Sequence, residues 1–326
     1  MIHLKDIIEA RERITGLINH THLYYSETFS QLSGNKVYLK PENLQKTGSF
    51  KIRGALNYIL RLEKEKNVKG IIASSSGNHG IAVSSAAAQA GFPTIIVMPK
   101  NAPKVKVTAV KAYGANIVFC GIMSRDRVKK AQQLAIEHNL VFVHDHSHII
   151  TGHGTIGLEV LEDLSNLDMI LVPIGSGGLI SGIAIAIKET NPKIKVYGVE
   201  PSGSNSMSLS IKAGRITQLR KVDTIADGLR SDKPGELSFK VVQNYVDDIF
   251  LVTEEEIKNA WFALLEKSKL LVEPSGAVTI AAILSHKVPY QGKRVATVLS
   301  GGNVDLKSVA ELINNIINNK TKKYLE

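Results

Sequence analysis

The sequence has 326 residues, 44% of them hydrophobic, and a single cysteine. It is long enough for two domains, apolar enough to bury a sizeable core, and excludes a disulfide-built scaffold. The formal net charge is +10, yet the basic residues are spread over helical stretches and gather only at Lys320, Lys322 and Lys323; without an aromatic-interleaved basic motif this argues against a nucleic-acid partner.

No apolar run is long enough to cross a bilayer and the start Met-Ile-His-Leu-Lys-Asp is not a secretory signal, so a cytoplasmic protein without a membrane partner is expected, with Cys120 a buried, inert thiol. In chain order, a strand over 37–39 precedes a helix beginning near Lys51, and strand 70–73 precedes helix 80–90. Strand 94–98 leads to helix 104–113, strand 116–119 to helix 124–137, and strand 169–174 to helix 179–189; strands over 195–199 and 295–299 follow. Such alternation predicts an α/β fold with largely parallel sheets. Neither internal repeats nor a Pro/Gly-rich linker interrupts it.

Four segments carry chemistry. The first, Lys46-Thr47-Gly48-Ser49-Phe50-Lys51-Ile52-Arg53-Gly54-Ala55, offers Thr47 or Ser49 as a helix cap and places Lys51 in the first turn. A cation there opposes the positive end of the helix dipole, which favours the neutral amine that covalent or general-base chemistry needs; a surface lysine is the simpler reading. In the second, Ser74-Ser75-Ser76-Gly77-Asn78-His79-Gly80, a strand end turns into a helix with amides and hydroxyls suited to a carboxylate, although Ser and Asn also serve as ordinary caps there.

The third, Gly175-Ser176-Gly177-Gly178-Leu179-Ile180, is a glycine loop between a buried strand and a helix. Ile180 stands where a dinucleotide fingerprint needs its third glycine, and no Gly-Lys-Ser/Thr follows, so a cup for a single phosphate fits best. The fourth, Ser300-Gly301-Gly302-Asn303-Val304-Asp305, ends another strand. Open α/β sheets bind ligands at the carboxyl ends of their strands, so these loops could share one pocket.

In this order and spacing, and together with Lys40-Pro41-Glu42-Asn43-Leu44-Gln45, Gly154-Thr155-Ile156-Gly157-Leu158-Glu159, Thr224-Ile225-Ala226-Asp227-Gly228 and Glu273-Pro274-Ser275-Gly276, the segments resemble fold type II pyridoxal-phosphate enzymes, specifically the serine/threonine dehydratase and serine racemase group. The resemblance implies two open, largely parallel twisted sheets of the tryptophan synthase β type with the cofactor between domains. Residues 1–66 and 146–326 would form the large domain and 67–145 the small one. It also implies a homodimer or homotetramer, and no appended regulatory domain, because only residues 306–326 remain.

Carried over by resemblance, Lys51 bears the cofactor and acts as base, and Asn78 faces the ring hydroxyl. Gly175, Ser176, Gly177, Gly178 and Leu179 hold the phosphate, and Ser300 faces the ring nitrogen. Ser75, Ser76, Gly77 and His79 surround the substrate carboxylate, with Ser76 a further catalytic candidate. The implied reaction is α,β-elimination of water and ammonia from L-threonine or L-serine. Serine racemization, hydroxyaspartate elimination and a non-catalytic ligand-binding role are the alternatives. Relatives that bind a divalent cation use a Glu, a carbonyl and an Asp, which map onto Glu200, Ser204 and Ser206. The second carboxylate is therefore missing, and a metal at Glu200 and Ser204 is expected to be weak or absent, with Glu200 otherwise an ordinary loop carboxylate.

Overall fold

In the computed structural model, which describes residues 2–65, 67–121, 124–144 and 147–323, the chain runs in order through α1 (Leu4–Ile14), β1 (Tyr24–Tyr25), α2 (Glu27–Ser33), β2 (Lys36–Pro41), α3 (Lys51–Leu62), β3 (Ile71–Ser74), α4 (Asn78–Gln89), β4 (Thr94–Met98), α5 (Lys104–Ala112), β5 (Asn116–Phe119), α6 (Ser124–His138) and β6 (Val141–Val143). It continues through α7 (Ser147–Asp163), β7 (Met169–Pro173), α8 (Gly178–Thr190), β8 (Lys195–Pro201), α9 (Ser206–Ala213), α10 (Glu236–Tyr245), β9 (Asp248–Val252), α11 (Glu254–Ala263), α12 (Pro274–Leu284), β10 (Arg294–Leu299) and α13 (Leu306–Lys323). Two sheets result, one ordered β1-β2-β10-β7-β8-β9 and the other β5-β4-β3-β6. Among the strand pairs of the described residues, only β1–β2 is antiparallel. Among the described residues no helix is long and apolar enough to cross a membrane.

The central strands of both sheets, such as β3, β4, β7 and β10, read as near-continuous apolar runs because helices cover both faces. On β7, Met169 and Leu171 join one core and Ile170 and Val172 another. The smaller sheet repeats the alternation, with Ile71 and Ala73 on one side of β3 and Ile72 on the other. Cys120 follows β5 and is half-buried, not fully buried as expected.

The start of α3 departs from the cap expected of Thr47 or Ser49. Phe50 occupies the cap position without a side-chain hydrogen bond, and the Thr47 and Ser49 hydroxyls meet no partner among the described residues. The chain is instead tied to the end of β10: the Phe50 N–H donates to the Ser300 carbonyl at 3.2 Å, and Ser49 forms an isolated antiparallel bridge with Gly301. Lys51, the first residue of α3, is thereby fixed by a backbone tether instead of by a self-contained cap.

Below Lys51, the same helix sinks Arg53 into the protein with no exposed side-chain surface. Arg53 Nε and Nη2 grip both oxygens of Glu42 at 2.8 and 2.7 Å, and Nη1 and Nη2 grip those of Glu159 at 2.6 and 2.9 Å. Lys40 Nζ adds a 2.5 Å contact to Glu159, so two buried cations face two buried anions. Burial alone would push the Glu159 carboxyl up, but Arg53 and Lys40 outweigh it and hold it below the usual carboxylate range. Arg53→Ala would leave Glu42 and most of Glu159 uncompensated and should cost about 3–5 kcal/mol in urea unfolding. A loss below about 1 kcal/mol would mean that water reaches these carboxylates and screens them.

Helices α3, α7 and α8 meet through glycines. A methyl group on Gly152 would fall 2.5 Å from the Arg53 carbonyl oxygen, and one on Gly182 would fall 2.3 Å from the Ile150 carbonyl oxygen. Wedged at this crossing is His153, 1% exposed, with neither ring nitrogen in a hydrogen bond of good geometry. Burial, and then the charges of Lys51 and His79, hold its pKa well below the ordinary imidazole value. The unfolded chain therefore takes up a proton near pH 6.5 that the folded chain refuses, so this residue's stabilising effect is complete above that pH and is lost as pH falls. Between pH 7.5 and 5.5 this residue should lower stability, by up to about 1.4 kcal/mol per pH unit below about 6.5, a drop read as the difference in urea-unfolding free energy between wild type and His153→Gln, because the raised Glu200 carboxyl acts in the opposite sense in both proteins. In His153→Gln the drop should be shallower; an unchanged slope would assign it to other groups.

Candidate active site

Three strand-end loops lie along the carboxyl edges of the sheets. In the larger sheet β10 sits between β2 and β7, all parallel, so Ser300 after β10 and Gly175 to Gly178 after β7 emerge on one side. The glycine loop has the form of a phosphate cup. Gly177 has φ +101°, a left-handed conformation that other residues rarely adopt, and a methyl group there would lie 2.5 Å from Met207 Cε. Gly178 opens the 13-residue helix α8, whose first-turn amides have no partner inside the helix and so are available to an anion. Ser176 fits as expected of a residue that needs no positive φ; its carbonyl receives the Gly235 N–H at 2.9 Å.

Aromatic contacts connect the cup to Lys51. A methyl group on Gly178 would stand 3.8 Å from His153 Nδ1, the His153 ring meets the Phe50 ring edge-on at 4.7 Å, and Lys51 Nζ lies 4.7 Å from the Phe50 ring centre. Ser300 is buried, and its hydroxyl donates to the Ser275 carbonyl at 3.2 Å.

From the smaller sheet, β3 delivers the turn into α4. Ser75 Oγ accepts the Gly77 and Gly80 N–H groups at 3.1 and 2.9 Å, so this hydroxyl does the capping work that the simpler reading assigned to it. Ser76 is exposed, and Asn78 and His79 are half-buried. Asn78 Nδ2 donates to Glu273 Oε1 at 2.6 Å, and Asn78 Oδ1 accepts from Asn303 Nδ2 at 3.0 Å. Gly301 completes this contact, because a methyl group on it would stand 3.0 Å from Ser49 Cβ and 3.2 Å from Asn78 Nδ2. Lys51, Asn78, the glycine cup and Ser300 are thus joined through neighbours across one cleft.

Sequence reasoning missed the charged group that spans this cleft. Lys106 of α5, 3% exposed, reaches Asp227 Oδ2 at 2.7 Å and Glu273 Oε2 at 3.2 Å. Burial draws its ammonium down, but Glu273 and Asp227 outweigh that and the net direction is up. One ammonium shared by two carboxylates leaves the more buried Glu273 raised, by burial and by the Asp227 charge. Asp227 and Glu273 lay inside the quoted motifs, whereas nothing in its surroundings marked Lys106 out from the other lysines of its helix.

At the expected metal position, both Glu200 oxygens are already engaged, accepting the Met207 and Ser208 N–H groups at 3.0 and 2.9 Å. Burial pushes this carboxyl up to about 7 against those two hydrogen bonds. Ser204 Oγ donates to the Leu229 carbonyl at 2.9 Å, and the buried Ser206 hydroxyl has no partner among the described residues. In this arrangement Glu200 acts as a cap for α9.

Residues 14–301 match the family of pyridoxal-phosphate dependent enzymes. The chain is 43% identical to an L-threonine ammonia-lyase of Thermotoga maritima, covering 100% of this chain and 82% of that protein. It is 42% identical to the catabolic L-threonine dehydratase of Escherichia coli, over 95% of this chain and 96% of that one. Among solved structures, maize serine racemase superposes with a TM-score of 0.91 at 38% identity, covering 98% of this chain and 99% of that chain. A phosphate cup built on glycine, a lysine at a helix start and a neutral serine at the neighbouring strand end fit the cofactor's phosphate, aldehyde and ring. The chain belongs to the pyridoxal-phosphate dependent enzymes of fold type II.

Proposed function

We propose that this chain is a threonine/serine ammonia-lyase that converts L-threonine to 2-oxobutanoate and ammonia, and L-serine to pyruvate. The observation that supports this reading is the tether from Phe50 to Ser300, which ties the residue before Lys51 to a serine that, in this reading, faces the ring nitrogen. Similarity to threonine ammonia-lyases over nearly the whole chain supports the substrate class. The cofactor, when bound, supplies an electron-withdrawing ring that acidifies the α-proton of an amino acid.

In this reading Lys51 would hold the cofactor covalently, and its Nζ, when free, would remove the α-proton of the bound amino acid. Gly175 to Leu179 would hold the phosphate with backbone amides, and Asn78 would face the ring hydroxyl. Ser75, Ser76, Gly77 and His79 receive the substrate carboxylate at the positive end of α4. A serine hydroxyl carries no negative charge, so nothing at position 300 holds a proton on the ring nitrogen. That favours reactions in which the β-hydroxyl departs early over those that need a long-lived carbanion.

Racemization is the second reading, favoured by the exposed Ser76 hydroxyl, which could return a proton to the face opposite Lys51. A cytoplasmic homodimer or homotetramer, with domains 1–66 plus 146–326 and 67–145, is the assembly we assign to this function.

A panel of L-threonine, L-serine and L-threo-3-hydroxyaspartate, scored for 2-oxo acid and ammonia with chiral analysis of unreacted serine, tests the assignment. L-Threonine or L-serine should give both products, and Lys51→Ala should lose turnover together with the borohydride-trapped cofactor adduct. An adduct on another lysine, or D-serine as main product, would overturn it. Divalent metal should at most modestly activate, because Glu200 caps α9 and has no second carboxylate beside it. Exhaustive EDTA treatment should leave most L-threonine turnover intact. A collapse restored by Mg²⁺, and absent in Glu200→Ala, would show that neutral oxygens complete the site.

A further inference from the structure

Away from the cleft, His20, His22 and Asp163 bring three metal-binding atoms within 4.8 Å of one another. Thr21, between the two histidines, turns inward, is buried, and donates its hydroxyl to Glu42, so the flanking imidazoles emerge on the same outer side. They stack with ring centres 4.0 Å apart. His20 Nε2 and His22 Nδ1 both point at a single oxygen, Asp163 Oδ1, at 3.3 and 3.2 Å. The other oxygen, Oδ2, is held by the Leu23 N–H at 2.8 Å, which orients the carboxylate toward the rings.

From this geometry we infer a binding site for a divalent transition-metal ion of the Zn²⁺ class, with His20 Nε2, His22 Nδ1 and Asp163 Oδ1 as its protein ligands. Ligands about 2.0–2.1 Å from a tetrahedral Zn²⁺ stand roughly 3.3 Å apart, which matches both histidine–aspartate separations. Two neutral imidazoles and one carboxylate are also the donor types this ion prefers over Mg²⁺ or Ca²⁺.

The scaffold is pre-set. Asn19 exchanges hydrogen bonds with the Gln45 side chain at 2.8 and 2.7 Å, and Asp163 is the last residue of α7. The two imidazoles are partly exposed, with 37% and 75% of their side-chain surface open, so they have space to turn toward an ion. Both line a cleft of about 790 Å³ with Tyr24, Pro41, Leu44 and Leu270, which leaves room for water at the ion's open position. A bound ion would join the segment before β1 to the end of α7. The site shares no residue with Glu200 or Ser204, so its occupancy is independent of activation there.

The test is Zn²⁺ titrated into metal-stripped holoenzyme in competition with a chromogenic chelator, beside His20→Ala, His22→Ala and a control, His138→Ala, on the exposed face of α6. We expect one equivalent to bind the wild type and the control. Either ligand variant should bind it more than about tenfold more weakly, and Zn²⁺ should raise the melting temperature of wild type but of neither ligand variant. Co²⁺ in place of Zn²⁺ should give visible d–d bands that both ligand variants lose. Absence of a wild-type equivalent, or equal binding by wild type and the ligand variants, would overturn the site and leave hydrogen bonding to Asp163 as the whole role of the two histidines.

Discussion

Everything at the candidate active site depends on two main-chain contacts that make up the Ser49–Gly301 bridge, the Phe50 N–H to the Ser300 carbonyl and the Gly302 N–H to the Gly48 carbonyl. They join the start of α3 to the end of β10 without using a side chain, so the position of Lys51 relative to Ser300 is a property of the backbone. The Arg53 cluster anchors the same helix two residues further in, where two cations and two anions are sealed from water. Such a cluster stabilises less than a hydrophobic core of equal volume would, but it penalises any displacement of α3 that separates its charges. The helix that carries Lys51 is thus fixed at its tip by geometry and in its body by charge.

The smaller sheet reaches the same cleft by other means. Asn78 arrives on α4 and is held by Glu273 and Asn303, and Lys106 arrives on α5 between Asp227 and Glu273. Glu273 accepts from both and, with Asp227, joins the two sheets electrostatically. A single carboxylate shared by two elements of the small sheet makes their positions interdependent, and the alignment of Asn78 therefore responds to the charge state around Lys106.

Much of the architecture was legible because parallel strands buried on both faces leave apolar runs, and the runs at 94–98 and 169–174 fall on β4 and β7. Shorter or more polar elements were not: β6 has three residues and β9 opens with an aspartate, which leaves too little periodicity to read. The long helix α7 was hidden by glycines at 152, 154 and 157, residues that disfavour an isolated helix and are retained because neighbouring backbones pass too close for a side chain. At the site, the glycine loop was recognisable because its conformation demands glycine. The expected cap of α3 failed because local hydrogen-bonding capacity at Thr47 and Ser49 says nothing about a strand some 250 residues later. Lys106 escaped for the same reason, its partners being distant in sequence.

The position of β10 also bears on how the molecule is made. The small sheet is contiguous, its strands falling between Ile71 and Val143, whereas β10 enters the middle of the large sheet between β2 and β7 although it follows every other strand among the described residues. Pairing over such separations pays its loop-closure entropy before the contacts form. A nascent chain can complete the small sheet while the large one still has a gap at its centre, with apolar flanks of β2 and β7 exposed to other chains. Insertion of residues 294–299 closes that gap and brings Ser300 to Phe50 in the same event, so loss of aggregation-prone surface and assembly of the cofactor site are one step of folding.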